Sequence, residues 1–157
     1  MLLAPMQWHC KRFESLQADE LYGILAARAA VFVLEQRCLY ADIDGKDERA
    51  LHVFAQAPGE SGQVIIAAYA RLLRPGVSYP EASLGRVLTA AAYRRTGMGR
   101  RLVAYGLDCI QTHWPRSTVR IGAQMYLQRF YESFGFVRVG EPYDEDGIPH
   151  LEMLRHA

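Results

Sequence analysis

The stretch Arg94-Arg95-Thr96-Gly97-Met98-Gly99 constrains this chain most. It follows the apolar run Leu84–Leu88 and stands at the mouth of a segment with helical periodicity. Glycine at such a place lets the backbone approach a bound group closely and adopt conformations closed to other residues. The first amides of a helix have no partner inside it and carry partial positive charge, so the turn suits a phosphate. Arg100 and Arg101 sharpen that reading. Cations in a first helical turn oppose the helix dipole, by about 0.3–1 kcal/mol each. Two in a row, behind Arg94 and Arg95, are frustrated until an anion relieves them; the plain alternative is that they point into solvent.

The glycine pair fits neither of two familiar phosphate loops. A P-loop needs Lys and Ser or Thr after its last glycine, and Arg100 and Arg101 stand there. The dinucleotide fingerprint needs a third glycine where this chain has Leu102. An isolated GxG is a tight turn as readily as a binding site.

The rest of the chain reads as one α/β domain. Its 157 residues are half hydrophobic, enough to bury a core. A net charge of +1 gives no footprint for nucleic acid or an anionic membrane. Cys10, Cys38 and Cys109 are scattered and form no CxxC pair, so neither a disulfide framework nor a zinc site is expected, and a reducing cytoplasm fits. The opening Met1–Pro5 lacks the marks of a signal peptide, and no apolar run reaches membrane-spanning length.

Strands are expected at Trp8–Phe13, Leu51–Ala55, Val64–Leu73, Leu84–Leu88, Thr118–Ile121, Phe136–Val139 and Leu151–Leu154. Helical spacing runs over Ala18–Leu34, with a break before Val31, and from Gly97 to the stop at Pro115. A short helix over Met125–Phe134 ends at Gly135. Asp42, Asp44, Asp47 and Glu48 form an acidic loop between Tyr40 and Arg49, read as a solvated surface segment that could alternatively attract a cationic amine.

A second motif gives the glycine turn its meaning. After the helix and the next strand comes Gln124-x-x-Leu127-x-x-Phe130-Tyr131-x-x-x-Gly135-Phe136. The two parts together resemble the GNAT acyltransferases, whose (Q/R)xxGxG turn embraces a pyrophosphate and whose second part ends in FYxxxGF. Val31–Gln36, the Tyr40-to-Asp47 loop, Ala123-Gln124 and Asp146–His150 look like the ElaA-like branch. Leu39 stands where that branch is expected to carry proline, and Gln124 where many GNAT enzymes have asparagine.

The resemblance covers nearly the whole chain and implies a GNAT acyl-CoA N-acyltransferase fold, α/β (α+β), with a mixed, mostly antiparallel central sheet flanked by helices. It implies acetyl-coenzyme A as co-substrate, no metal, and direct attack by an amine in a ternary complex. Backbone groups of Val87, Leu88 and Thr89 would pair with the pantetheine arm and steady the developing oxyanion. Arg94, Arg95, Thr96, Gly97, Met98, Gly99 and Arg100 would hold the pyrophosphate, and Gln124 joins the cofactor-binding set. Tyr131 is the expected proton donor to the leaving sulfur. A phenol, with pKa about 10, stays protonated at neutral pH, whereas the thiol it serves has pKa about 8.5.

For the base, or for acceptor binding, the candidates are Glu35, His52, Glu81 and His150. The acceptor is a small-molecule or peptide amine that these residues do not specify, and a homodimer is one assembly state left open. Two rivals stand beside the enzyme: a non-catalytic coenzyme A-binding or sensing module, and a nucleotide-binding protein of another kind.

Overall fold

The computed structural model describes residues 5–157 of the chain. After β1 (Gln7–Arg12), α1 (Ala18–Arg28) starts where the Glu20 carboxylate accepts the Gln17 amide at 3.0 Å, the reciprocal half of a capping box. The helix does not stop at Arg28. It widens into π-type winding over Ala29–Glu35, so the break expected before Val31 is a change of pitch within one continuous helix.

Three antiparallel strands follow: β2 (Ala50–Pro58), β3 (Val64–Leu73) and β4 (Ala82–Thr89). Then come α2 (Met98–His113), β5 (Val119–Gln124), a short 3-10 turn Met125–Leu127, α3 (Gln128–Glu132), β6 (Val137–Glu145) and β7 (Ile148–Arg155). The strands form one sheet in the order β1-β2-β3-β4-β5-β7-β6. All neighbours are antiparallel except β4 and β5, so the sheet is mixed and mostly antiparallel, as expected. The β6–β7 turn is tight. Asp146 (φ 51) and Gly147 (φ 79) alone make it, both in the left-handed region that a two-residue type I′ hairpin requires.

Alternation along β2 divides the core. Leu51, Val53, Ala55 and Ala57 meet Leu102, Val103 and Ile110 of α2 on one face, while Phe54 packs with Ile24, Phe32 and Tyr69 under α1 on the other. Cys10 and Cys109, remote in sequence, become neighbours where β1 packs on α2. No helix among the described residues is long and apolar enough to cross a membrane.

Two irregularities shape the middle of the sheet. β4 and β5 pair only at Ala82↔Val119 and Ser83↔Arg120, and beyond these they part. β4 also bulges: Tyr69 opposes Leu88 while Arg71 opposes Gly85, which leaves one extra residue on β4. Arg86, inside that bulge, has φ 51.

Candidate active site

A cavity of about 480 Å3 opens where β4 and β5 separate. Val87, Gln124, Leu127, Tyr131, Tyr143 and His150 are among its walls. The glycine turn lies against the end of β4, two residues past the lining residue Val87. A Cβ on Gly99 would sit 3.9 Å from the Thr89 hydroxyl at the end of β4 and 3.8 Å from the Phe130 ring, next to Tyr131.

Gly97 caps α2 with φ 82, a conformation that calls for glycine. No side chain caps the helix, and the amides of Met98, Gly99 and Arg100 find no acceptor among the described residues. Gly99 is a different case. The contacts an added Cβ would meet are ordinary van der Waals distances, so the fold itself does not demand glycine there. The Met98 side chain is buried in the core, which leaves only its amide to face outward.

Arg94, Arg100 and Arg101 are not frustrated as the sequence suggested, nor do they simply point into solvent; of the four, Arg95 does. Arg100 lies over the rings of Phe130 (5.9 Å) and Phe134 (5.4 Å) and bonds the Ser133 hydroxyl at 3.1 Å. Arg101 lies over Trp8 at 5.4 Å. Stacking on aromatic faces supplies the compensation that an anion was expected to bring. Arg94 donates to the Thr89 carbonyl and, through Nη2, to both Glu35 oxygens at 2.8 and 2.9 Å. Arg95 and Thr96 lie exposed in the turn.

Tyr131 is 5% exposed, its ring held edge-on between Phe130 and Phe136. It makes no hydrogen bond among the described residues, yet no fully buried side-chain polar atom there lacks a partner. Its hydroxyl therefore opens on the cavity it lines. Burial, with a smaller contribution from Tyr126, pushes the phenol well above its ordinary value.

The structure brings only some of the remaining candidates together. Val87 lines the cavity, but the Leu88 side chain is buried with Phe32 and Tyr69. Gln124 lines the cavity and donates to Gln36, also on its wall, at 3.3 Å. Glu35 is taken up by Arg94, and Glu81 by Arg120. His52 lies outside the cavity, fully buried, with its ring nitrogens 2.8 Å from the Tyr69 hydroxyl and 2.9 Å from the Asp47 carbonyl. Burial holds its pKa below the usual histidine value. His150 alone of these four lines the cavity. Its Nδ1 donates to the Ile148 carbonyl at 2.7 Å, and its Nε2 lies 3.1 Å from Glu145. Cys38 is also on the wall, where burial and the carboxylates of Asp146 and Glu145 raise its thiol pKa and blunt it as a nucleophile.

The acidic loop is not a solvated surface segment. Asp42, Asp44 and Asp47 alternate with Arg28, Arg71 and Arg86 in a closed ring of ion pairs. Arg28–Asp42 is 3.0 Å, Asp42–Arg86 2.8 Å, Arg86–Asp44 3.4 Å, Asp44–Arg71 2.7 Å, Arg71–Asp47 3.0 Å and Asp47–Arg28 2.7 Å. Only Glu48 keeps to the surface as expected. Burial works against the charged form of Asp44 and of Asp47, but the guanidinium bonds prevail and hold both carboxyls below the usual range. Sequence reasoning missed the three arginines; the signal was Arg71, a lone charge in the apolar run Val64–Leu73.

A sheet parted in the middle, beside an uncapped helix start and a buried phenol, defines a class. Residues 17–156 match the family model described as the acetyltransferase (GNAT) domain, and the chain belongs to that family, an acyltransferase. Among individual relatives, it is 40% identical over 154 residues to protein ElaA of Escherichia coli, covering 97% of each. The crystal structure of Escherichia coli ElaA superposes with a TM-score of 0.87, covering 97% of this chain and 100% of that one at 38% identity. An acyl-CoA N-acyltransferase from Pseudomonas aeruginosa gives 0.88 at 37% identity, covering 96% and 99%.

Proposed function

We propose that this protein transfers the acetyl group of acetyl-coenzyme A to an amine held in the β4–β5 cavity. The observation that carries this is the meeting of the uncapped α2 start with the gap between β4 and β5, beside Tyr131. Acetyl-coenzyme A supplies an acyl group already activated as a thioester.

The chain's own residues do the rest. The free amides of Met98, Gly99 and Arg100 suit the pyrophosphate, and the bare Cα of Gly99 lets it come close. Past Ser83, β4 has no β5 partner, so backbone groups on that edge can pair with an extended ligand arm and donate to the acyl oxygen as it gains charge. The amine nitrogen bonds to the acyl carbon as the carbon–sulfur bond breaks. Tyr131 gives its proton to the departing sulfur, and its raised pKa keeps that proton available.

The amine must lose a proton. We assign the role of taking it to His150, the one of the four candidates on the cavity wall, whose Nδ1 donates to the Ile148 carbonyl and whose Nε2 lies 3.1 Å from Glu145. The test is an amine panel, from polyamines and amino acids to lysine peptides, with release of free thiol from acetyl-coenzyme A as the readout. Tyr131→Phe is expected to lower kcat by about 10²-fold and to leave coenzyme A affinity within about twofold. Unchanged kcat removes Tyr131 from the reaction. Coenzyme A binding without turnover on any amine would favour the sensing module.

A further inference from the structure

The ion-pair ring contains one residue that the fold alone does not explain. Arg28 is fully buried and Arg71 nearly so, and both tie the 42–47 loop into the body of the protein. Arg86 is different: it is less buried than either, and although Arg71 also reaches the cavity wall, only Arg86 does so from inside the β4 bulge, next to Val87. We propose that Arg86 is a positioning residue that fixes the acceptor-side loop and the β4 bulge to each other, and so registers the incoming amine against the acyl group. This rests on the acetyl-transfer reading of the cavity.

The geometry is specific. The left-handed backbone at Arg86 disfavours any residue with a Cβ, so contacts elsewhere must uphold it. Its Nε bonds Asp42 Oδ1 at 2.8 Å and its Nη2 bonds the Asp42 carbonyl at 3.1 Å. A longer contact of 3.4 Å reaches Asp44, and the guanidinium lies 4.9 Å over the Tyr40 ring. From the opposite side Arg28 grips the same residue, with Nε on Asp42 Oδ2 at 3.0 Å and Nη2 on the carbonyl at 2.6 Å. Asp42 is thus clamped between a core arginine and a cavity arginine, through both carboxylate oxygens and its backbone.

One side chain therefore spans the two walls that must agree for transfer. Tyr40 lies on the loop side, and Val87 on the strand whose unpaired edge is proposed to hold the acyl arm. Removing Arg86 leaves Arg28 and Arg71 in place, so the loop stays attached but loses its register. A planar fork is required for the paired contacts on Asp42, and lysine cannot supply it.

The test compares wild type, Arg86→Gln, Arg86→Lys and the exposed control Arg74→Gln. Hydrogen exchange by mass spectrometry and acetyl-coenzyme A calorimetry are the readouts. Both Arg86 variants are expected to speed amide exchange across residues 39–46 by about tenfold, as for loss of one charge-assisted contact. Exchange in α2 and β7 stays as in wild type. Acetyl-coenzyme A affinity falls in both variants, and Arg74→Gln changes neither readout.

Unaltered loop exchange in Arg86→Gln overturns the proposal. So does restored affinity in Arg86→Lys while its loop still exchanges fast, since Arg86 would then act only as a charge for the ligand. Failure of wild type to bind acetyl-coenzyme A would instead bring down the acetyl-transfer reading, and the registration of an acyl group with it.

Discussion

Tyr131, the proposed proton donor, is at the same time a packing residue. Its neighbours Phe130 and Phe136 bury the ring edge-on and leave the hydroxyl facing the cavity. Because burial raises its pKa, the proton is not lost at the ordinary phenol value. The alkaline fall in kcat caused by Tyr131 is accordingly expected above pH ~10; a fall centred well below that, absent from Tyr131→Phe, would contradict the assignment. Gly97 is the other position where one residue decides. With φ 82, Gly97→Ala must strain the cap and is expected to lower unfolding free energy by about 1 kcal/mol in a denaturant titration. The FYxxxGF pattern made Tyr131 conspicuous in the sequence. His52 and His150 could not be told apart there, because what separates them is a buried Tyr69 hydroxyl for one and a cavity wall for the other.

At the scale of elements, the ion-pair ring is the main structural investment. Arg28 is fully buried and holds two carboxylates, so Arg28→Met takes from Asp42 and from Asp47 one of the two arginines that each is paired with, in a nearly dry setting. It is expected to cost about 3–5 kcal/mol by chemical denaturation. Glu35–Arg94, with both side chains more than 40% exposed, is expected to give about 0–1 kcal/mol on Glu35→Gln. Equal costs for the two would refute the distinction. The ring was illegible in the sequence because its six pairs join segments 14 to 44 positions apart, and an acidic run ordinarily signals solvent. β3 was legible to the residue because a run apolar but for Arg71 marks a strand buried on both faces. β6 was not: most of it is exposed, so no burial period marks its outer half, and the hairpin turn extends it to Glu145.

Over the whole molecule, the same groups set how stability responds to acid. Unfolded aspartates titrate at pH ~3.9, whereas Asp44 and Asp47 in the folded protein stay charged to lower pH. Below about pH 4 the unfolded chain therefore binds more protons, and stability that is full above that range is lost as pH falls further. His52 adds to this. Its depressed pKa means the unfolded state takes up an extra proton below pH ~6.5, so the decline begins there. Denaturant midpoints for wild type are expected to drop below pH ~6.5 and again below ~4. His52→Gln, whatever its absolute stability, should lack the first drop; a wild-type profile flat from pH 7 to 5 would contradict this.

The parted strands, the uncapped helix and the phenol all converge on one claim, that the start of α2 receives acetyl-coenzyme A. Gly99→Ala tests it with little ambiguity. The new methyl group meets nothing closer than 3.8 Å within the protein, and alanine favours a helix over glycine by about 0.5–1 kcal/mol. Calorimetry and thermal unfolding of this variant should move in opposite senses: a melting temperature at or above wild type, with acetyl-coenzyme A bound about tenfold more weakly because the backbone can no longer be approached. Unchanged affinity in a fully folded Gly99→Ala protein would contradict the account.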